Sequence, residues 1–372
     1  MWNKNLKVLI TGSNGFIGKN MLESLTRSGL EVYTFTKENS MKNLEDNILK
    51  VDFIFHLAGV NRPKDPLEFY DGNTHLTQTI VDLITKHKKK IPILFSSSTQ
   101  VGSKNDYGKS KRQSEEIIKQ YSNNNNVECF IYRLPNVFGK WSKPNYNTVI
   151  ATWCFNIARD LDIEVNNRDD KLDLVYIGDL VYAFTQKLYR NQSKELFCAV
   201  EIVYTKTLGE VEALLYQFKN SRSKLLIPNI ATGFERVLYA TYLSFLPKDK
   251  FSYKLTGHVD NRGTFYEILK TMDSGQLGIS TTKPGITRGN HYHNTKSEKF
   301  LVMKGHALIE LRDINSNEII QFNVNETKLE IVEMIPGYTH NITNIGDTDM
   351  ILLIWANENY DSENPDTNYL VV

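Results

Sequence analysis

Thr11-Gly12-Ser13-Asn14-Gly15-Phe16-Ile17-Gly18 is a glycine-rich segment near the start of this chain. It follows an apolar run, Leu6 to Ile10, that is typical of a buried strand, and it precedes a helical pattern over Lys19 to Ser28. Strand, glycine turn and helix form the context that a dinucleotide-binding fingerprint requires. Phosphates then lie at the helix N-terminus, where unpaired N–H groups favour negative charge. A purely structural turn is the alternative, so the rest of the chain has to decide.

Length, charge and cysteine content narrow the class of protein. With 372 residues, the chain is expected to form two domains. A net charge of +1 gives no electrostatic reason to expect nucleic acid, and no apolar run approaches the ~20 residues of a membrane span. The first strand begins too early for a signal peptide, and Cys129, Cys154 and Cys198 are interpreted as free thiols. These features together predict a cytoplasmic protein without membrane insertion.

The second and third strands indicate which cofactor the turn binds. An acidic residue at the end of the second strand would select NAD, but Glu31 to Thr36 is followed by Lys37. A hydroxyl and an ammonium group suit a 2′-phosphate, so Thr36 and Lys37 favour NADPH. Glu38 lies one or two positions late for the acidic role, and an exposed loop lysine is the alternative. The third strand closes with Leu57-Ala58-Gly59, whose small residues leave space for a cofactor.

A serine run and a Tyr-x-x-x-Lys pair supply candidate catalytic groups. Ser96-Ser97-Ser98 ends the fourth apolar run, and Tyr107 and Lys111 are one helical turn apart, so their side chains share a face. An ammonium group near a phenol is expected to lower the pKa of that tyrosine and to help it exchange a proton. The Ser98 hydroxyl can then hold a substrate oxygen. Alone this spacing is common, but behind a dinucleotide fingerprint it predicts an active site.

These motifs resemble those of the extended short-chain dehydrogenase/reductases that act on nucleotide sugars. The matching segments cover the first ~245 residues and include Gly12 to Gly18, His56 to Gly59, Ser96 to Ser98, Tyr107 to Lys111, Arg133 to Gly139 and Leu172 to Leu180. The resemblance implies a Rossmann-type, doubly wound parallel sheet. It also implies that Ser98, Tyr107 and Lys111 are catalytic, with Tyr107 and Lys111 touching the cofactor as well.

The same resemblance addresses the substrate and the reaction. It implies that Arg133 and Asn136 line a pocket for a sugar nucleotide such as a UDP-sugar. Dehydratases of the family carry an Asp-Glu pair after a threonine in the serine region, whereas this chain has Ser98-Thr99-Gln100. Without those carboxylates a reductase or an epimerase is expected.

The pattern changes near residue 247, which divides a predicted reductase domain, 1–246, from a second domain, 247–372. Short runs from Gly278 onward recur between turn residues, as in an all-β barrel. His291 and His293 alternate with Tyr292, so on a strand both imidazoles face the same side. With Glu298 and His340 they form a nitrogen and oxygen set suited to a divalent metal, zinc above all. A structural role for the histidine pair is the alternative.

The second domain resembles the cupins. The first cupin motif is matched from Gly285 to Gly305, and the second is matched in part by Pro336, Gly337, His340 and Asn344. The segment from Asp260 to Glu267 also resembles the opening of the dTDP-4-keto-sugar 3,5-epimerases. In those enzymes the position of His291 is a base, so His291 has two candidate roles, and His293 favours the role of metal ligand.

Reductase and cupin in this order resemble the bifunctional enzymes of capsular polysaccharide synthesis, over essentially the whole chain. That resemblance implies a route to UDP-N-acetyl-L-fucosamine. The cupin domain would epimerise C3 of a UDP-4-keto-6-deoxy-HexNAc, and the reductase domain would reduce C4 with NADPH, giving UDP-2-acetamido-2,6-dideoxy-β-L-talose. A homodimer through the cupin domain is also implied. The alternative is a monofunctional reductase whose cupin serves dimerisation or sugar binding.

Overall fold

The computed structural model describes residues 6–63, 65–146, 148–189 and 195–372, which form two compact units. The first unit extends to Tyr216 and includes Thr232–Pro247, and the second comprises Gln217–Ala231 and Lys248–Val372. Within the described residues, no helix has both the length and the apolar content of a membrane span.

The strands of the first unit are β1 (Lys7–Thr11), β2 (Glu31–Phe35), β3 (Phe53–His56), β4 (Ile93–Ser98), β5 (Cys129–Leu134), β6 (Asn136–Phe138), β7 (Lys171–Tyr176), β8 (Phe197–Cys198) and β9 (Tyr204–Thr207). They form a six-stranded parallel sheet in the order β2-β1-β3-β4-β5-β8 and a three-stranded sheet in the order β6-β7-β9. The helices of the chain are α1 (Phe16–Arg27), α2 (Met41–Ile48), α3 (Leu67–Phe69), α4 (Leu76–Lys86), α5 (Asp106–Asn125), α6 (Val149–Ile157), α7 (Ile177–Gln186), α8 (Leu208–Ser223) and α9 (Gly233–Leu243).

Helices cover both faces of the parallel sheet because successive strand residues point to opposite sides. In β1, Val8 and Ile10 pack in one apolar cluster with residues of α1 and α7. Leu9 between them packs in another cluster with residues of α2, α4 and α5. The order β2-β1-β3 places a topological switch point at β1, where open α/β sheets bind ligands at the carboxyl ends of their strands.

The second unit consists of two mainly antiparallel sheets. One has the order β10-β12-β13-β20-β15-β18 with β11 paired to β12, and the other has the order β17-β16-β19-β14-β21. The strands are β10 (Leu226–Ile227), β11 (Gly257–Asp260), β12 (Gly263–Thr271), β13 (Gln276–Thr282), β14 (Thr287–Tyr292), β15 (Glu298–Lys304), β16 (His306–Asp313), β17 (Ile319–Asn325), β18 (Ile331–Met334), β19 (Tyr338–Asn344), β20 (Met350–Ala356) and β21 (Asn368–Tyr369).

The core of the second unit lies between these sheets. Phe300 and Leu352 of one sheet pack in one buried cluster with Ile309, Leu311 and Ile342 of the other. β15, β16, β18 and β20 each contribute alternate residues to this cluster, which is the period-2 pattern expected of half-buried strands. The predicted fold class, a Rossmann-type α/β sheet followed by an all-β domain, is confirmed.

Two local features differ from the sequence-based expectation. The asparagine run at 123–126 has the composition of a solvated turn, but α5 continues to Asn125, and Asn126 ends it in the left-handed conformation at φ 48°. Gln217–Ala231 groups with the second unit, although the sequence places it in the first domain. The reason is tertiary, because Leu226–Ile227 pairs in parallel with Lys270 and Thr271 of β12.

Candidate active sites

The glycine turn after β1 is shaped by close backbone packing. Gly12 has φ +72°, and a Cβ there would lie 2.7 Å from Cα of Ala58. A Cβ on Gly18 would lie 2.8 Å from Cα of Ser13, because α1 packs directly on the turn. Gly15 is the N-cap of α1, whose first turn has no acidic residue and no side-chain cap. Phe16 and Ile17 follow it as the first helical residues, so the leading N–H groups stay available for a phosphate.

Thr36 and Lys37 lie beside this turn at the end of β2. The Gly12 N–H donates to Phe35 O at 2.7 Å, which joins the two strand ends. Thr36 is held in a tight loop, since its N–H and its hydroxyl both donate to Asn39 Oδ1, at 2.8 and 3.2 Å. Lys37 is exposed, so its ammonium group can reach a ligand at this edge.

Lys111 is buried against the end of β3. Only 4% of it is exposed, its Nζ donates to Ser96 O at 3.0 Å, and it lies 4.8 Å from the centre of the Phe95 ring. A Cβ on Gly59 would come within 3.0 Å of Lys111 Nζ, so the absence of a side chain at Gly59 makes room for the ammonium group. Burial lowers the pKa of Lys111 to about 8, with Glu115 partly opposing the shift.

Tyr107 and Ser98 face each other near this lysine. Tyr107 is the second residue of α5, and its ring lies 5.7 Å from that of Phe69. Burial raises the pKa of Tyr107, while a hydrogen bond with Ser98 opposes the rise. The pKa of Tyr107 therefore shifts upward, opposite to the lowering expected from a neighbouring ammonium group, because loss of hydration is the largest contribution. The phenol is protonated at neutral pH, which is the form that can donate a proton.

Arg133 and Asn136 have different surroundings. The Arg133 guanidinium donates to both carboxylate oxygens of buried Glu115, at 3.0 and 2.7 Å, and stacks over Phe197. Ser97 Oγ donates to the same carboxylate at 2.5 Å. Arg133 thus neutralises a buried charge, and its contact with the substrate stays a prediction. Asn136, the first residue of β6, is exposed and free to bind a ligand.

A buried histidine network beneath the site was not predicted. His56 Nδ1 and Nε2 lie 2.8 and 2.9 Å from the hydroxyls of Thr11 and Thr77, and burial lowers the pKa of His56 to about 3. The Thr77 hydroxyl donates to Asn73 O at 2.6 Å, so it accepts from Nε2–H. Asn73 lies in the π-helical turn Tyr70–His75, where Val60 N–H and Ser110 Oγ bind its amide. This network of neutral groups links β1 and β3 with the π-helical turn and, through Ser110, with the helix that carries Lys111. In the sequence, only the His-Leu-Ala-Gly motif indicated it.

The four predicted ligands of the second unit lie together. One potential ligand atom from each of His291, His293, Glu298 and His340 is within 4.8 Å of the others. Both His293 and His340 are 1% exposed. Each has its Nε2 3.5 Å from Glu298 Oε2. His291 and His340 are paired across β14 and β19 of one sheet, and Glu298 is the first residue of β15 in the other sheet. Two sheets therefore bring the four side chains to one place.

A β-bulge puts His291 in this cluster. Gly289 pairs with Asn341, yet His291 pairs with His340, so Asn290 is an extra residue on β14. Asn290 accordingly has φ 60°. A Cβ on Gly289 would lie 2.7 Å from His340 O, which explains the glycine before the bulge. If Asn290 were paired with His340 in a regular register, His291 would oppose Thr339 and its side chain would point to the other face.

The chemistry of this cluster fits a divalent metal. His293 Nε2 and both ring nitrogens of His340 are buried without a hydrogen-bond partner. His293 Nδ1 donates to the carbonyl of Asp366, which leaves Nε2 as a lone-pair donor toward the cluster. Burial, followed by the neighbouring imidazoles His340 and His293, lowers the pKa of His291 to about 4. Imidazole nitrogens without a hydrogen-bond partner, beside a carboxylate, are a donor set that a metal would satisfy.

Glu298 is ionised although it is buried. Burial raises its pKa, but the neighbouring imidazoles of His293 and His340 and the charge of Lys296 together hold that pKa well below the usual value. Lys296 Nζ lies 2.9 Å from Glu298 Oε1, so the other oxygen is the one that faces the imidazoles. Asn344, from the second motif, donates to Thr282 O and Thr348 O and supports the fold instead.

Comparisons with known proteins identify a family for each of the two parts of the chain. Residues 8–198 match the family described as NAD dependent epimerase/dehydratase family, and residues 258–368 match the Polysaccharide biosynthesis C-terminal domain. The UDP-2-acetamido-2,6-beta-L-arabino-hexul-4-ose reductase of Pseudomonas aeruginosa is 48% identical over 363 residues, which cover 97% of this chain and 98% of that protein.

Two solved structures place the fold. The capsular polysaccharide assembling protein CapF from Staphylococcus aureus has a TM-score of 0.92 at 46% identity, over 98% of this chain and 100% of that chain. RMD from Pseudomonas aeruginosa, complexed with NADPH, has a TM-score of 0.55 at 18% identity, over 66% of this chain and 99% of that one, and shares the fold alone.

The glycine turn, the serine run and the Tyr-x-x-x-Lys helix on a parallel sheet define a nicotinamide-dependent enzyme of the short-chain type. The chain belongs to the NAD dependent epimerase/dehydratase family and carries a polysaccharide biosynthesis C-terminal domain. The resemblance to fused enzymes of capsular polysaccharide synthesis is confirmed by the similarity to CapF over nearly the whole chain.

Proposed function

We propose that this chain is a bifunctional enzyme that epimerises and then reduces a UDP-4-keto-6-deoxy-HexNAc. The Pseudomonas relative is named as a UDP-4-ketosugar reductase and matches the chain end to end, which supports the substrate class. The order of reactions follows from chemistry. A ketone at C4 acidifies the C3–H, so epimerisation has to precede reduction, after which the configuration at C3 is fixed.

Reduction is assigned to the first unit. The nicotinamide cofactor, when bound, supplies the hydride that adds to the C4 carbonyl carbon. Tyr107, whose phenol is protonated, donates its proton to the C4 oxygen, while the Ser98 hydroxyl holds that oxygen. Lys111 places a positive charge beside the strand ends and favours the tyrosinate that remains. Asn136 is proposed to contact the sugar nucleotide.

The observation that carries this assignment is that Lys111 is buried against Gly59. Lys111 lies on α5, the helix that also places Tyr107 next to Ser98. Tyr107→Phe should lower the rate of NADPH oxidation with UDP-4-keto-sugar by about 10²–10⁴-fold, the usual contribution of general acid catalysis, with little change in NADPH affinity. Tyr182→Phe, at an exposed tyrosine of α7, is the matched control. If Tyr107→Phe keeps more than about a third of the wild-type rate, the assignment is wrong.

Epimerisation is assigned to the second unit. His291, His293, Glu298 and His340 would hold a divalent metal, for which zinc is our choice, through the nitrogen and oxygen atoms that face one another. Such an ion, when bound, supplies positive charge that stabilises negative charge on a substrate oxygen. His291, the least buried of the three histidines, is also a candidate base for the C3 proton.

Deuterium exchange separates this proposal from its alternative. Full-length Tyr107→Phe protein in D₂O without NADPH should exchange the C3 proton of the substrate, as followed by ¹H NMR. Adding His293→Gln should abolish both the metal content and the exchange, whereas His306→Gln, outside the cluster, should preserve both. Without any C3 exchange, the second unit would be a dimerisation or sugar-binding module. Exchange that persists after metal loss would make His291 the base and the metal a bystander.

The remaining finer proposals concern product, cofactor, assembly and location. We propose UDP-2-acetamido-2,6-dideoxy-β-L-talose as product, NADPH as the preferred cofactor, a homodimer through the second unit, and the cytoplasm as the site of reaction. NMR analysis of the product and light scattering of the purified protein test the first and third of these. A different sugar, or a monomer at micromolar concentration, would refute them.

A further inference from the structure

The chain returns to the histidine cluster close to residue 366. β21 pairs antiparallel with β14, with Tyr369 opposite His291 and Asn368 opposite Tyr292. Continuing that register brings Asp366 against the turn that follows His293 and leads into β15. Leu370 N–H, just after β21, also donates to Asn290 O at 3.0 Å, so the end of the chain stays attached to β14 beyond β21.

The carboxylate of Asp366 binds the whole turn. It accepts the backbone N–H groups of Asn294, Thr295 and Lys296 at 2.9, 2.7 and 3.0 Å. The side chains of Asn294 and Thr295 donate to it as well, at 3.0 and 3.1 Å. A carboxylate that accepts this many N–H and O–H groups holds a turn in one conformation, because no other residue type supplies two charged acceptor atoms so close to the backbone.

Through this turn, Asp366 reaches two of the four cluster residues. Its backbone carbonyl accepts the Nδ1–H of His293, which selects the tautomer with a free lone pair on Nε2. Its carboxylate fixes the backbone of Lys296, whose ammonium group binds Glu298 Oε1. The first contact orients an imidazole, and the second selects which oxygen of Glu298 faces it.

We propose that Asp366 is a positioning residue for the metal site, which it organises from 73 residues away in sequence by setting the tautomer of His293 and the orientation of Glu298. The inference rests on the proposed function in that it assumes a metal at the four-residue cluster. Loss of such outer contacts typically costs about 10–100-fold in metal affinity.

Chelator competition on the full-length protein tests this inference. Zinc affinity is measured for the wild type, Asp366→Ala, Asp366→Asn and Asp361→Asn. We expect Asp366→Ala to bind zinc at least about 10-fold more weakly. Asp366→Asn should lie between this variant and the wild type, because it keeps one acceptor oxygen. Asp361→Asn, at an exposed carboxylate that accepts only a local N–H from Glu363, should equal the wild type.

The outcomes distinguish the inference from the metal proposal. A wild-type protein that binds no zinc would overturn both. A wild type that binds zinc, with Asp366→Ala within about twofold of it, would overturn the positioning role and leave the metal site intact. Unchanged NADPH affinity and circular dichroism show that each variant is folded, and if Asp366→Ala fails this check, the comparison of Asp366→Asn with Asp361→Asn decides.

A spectroscopic measurement on metal-free protein completes the test. Long-range ¹H–¹⁵N correlation spectra report which imidazole nitrogen carries the proton. We expect His293 to be protonated on Nδ1 in the wild type. Asp366→Ala keeps the backbone carbonyl but loses the carboxylate that holds residue 366 against the turn, so we expect its His293 to populate both tautomers. A purely structural contribution of Asp366 would change stability without changing the tautomer, and this result would contradict the inference.

Discussion

At the scale of single residues, burial changes the acid–base behaviour of the reductase site. The pKa of Lys111 falls to about 8 and that of Tyr107 rises, because both groups lose hydration at the ends of the buried strands. An ammonium near a phenol is therefore not sufficient to predict the protonation of either group. For a reductase the outcome is favourable, since the phenol keeps the proton that the substrate oxygen needs.

The lowered pKa of Lys111 predicts how the rate of reduction depends on pH. The charged form of Lys111 is lost as the pH rises through about 8 instead of the ordinary 10.5. If the ammonium assists proton donation, kcat/KM for the ketosugar should be flat near neutrality and fall about tenfold for each unit above pH 8, because kcat/KM reports the free enzyme. A pH series of initial rates measures it. Lys109→Arg, on the exposed side of the same helix, should keep the profile, and a flat wild-type profile up to pH 10 would contradict the prediction.

Cofactor preference is also decided by single residues. Lys37 is exposed at the end of β2, next to the loop that Thr36 forms with Asn39. We expect NADPH to be preferred to NADH, and Lys37→Asp should reduce that preference by at least about tenfold, since a carboxylate repels a 2′-phosphate. Lys42→Asp makes the same change in net charge at an exposed position of α2 and is the control. Equal kcat/KM for both cofactors in the wild type would be evidence against this role.

At the scale of elements, the bulge in β14 decides whether the metal cluster can form. It inserts Asn290 between Gly289 and His291 and turns His291 toward His340. The register of the neighbouring strands is regular, so a single inserted residue sets the direction of one ligand. Asparagine suits the position because it tolerates a positive φ better than most residues.

Substitutions at Asn290 should therefore act through the backbone. Asn290→Gly should bind zinc nearly as well as the wild type, because glycine adopts a positive φ without strain. Asn290→Val should weaken binding by about tenfold or more and lower the stability of the second unit by about 1–3 kcal/mol, the usual cost of a strained residue. Zinc titration and thermal unfolding measure these effects. Equal affinities for the glycine and valine variants would show that the bulge has no role.

At the scale of the whole molecule, the two units have separate cores. Among the described residues, the first has an apolar cluster on each side of one parallel sheet, and the second has an apolar cluster between its two sheets. The four-residue cluster joins β14, β15 and β19, which belong to both sheets of the second unit. A metal held there would tie those sheets together.

Metal removal is therefore expected to affect one unit selectively. Treatment with a chelator should lower the unfolding temperature of the second unit and leave NADPH binding by the first unchanged, because binding free energy at such a site is also folding free energy. Differential scanning calorimetry with and without chelator, followed by NADPH titration, measures both effects. His293→Gln should unfold at the same lowered temperature with or without chelator. An unchanged wild-type transition in metal-containing protein would contradict the prediction.

Local patterns in the sequence determined much of this protein. Periodicity and turn chemistry determine the order of strands and helices and the tight turn at Gly12. They also place Tyr107 and Lys111 on one helical face and His291 and His293 on one side of a strand. Such features involve residues a few positions apart, so the backbone geometry of one turn or one strand fixes them. For that reason the fold class could be predicted, as could the residues proposed for both sites.

Only the tertiary structure decided contacts between distant segments. It bound Arg133 to Glu115, linked His56 with Thr11 and Thr77, and placed Asp366 on the turn after His293. It also set the protonation of Lys111, since burial depends on everything packed around a group. No spacing rule encodes these contacts, because they arise from strands that pair across long stretches of chain. The sequence determines which chemical groups are present, and the packing of the sheets decides which of them meet and in what state of charge.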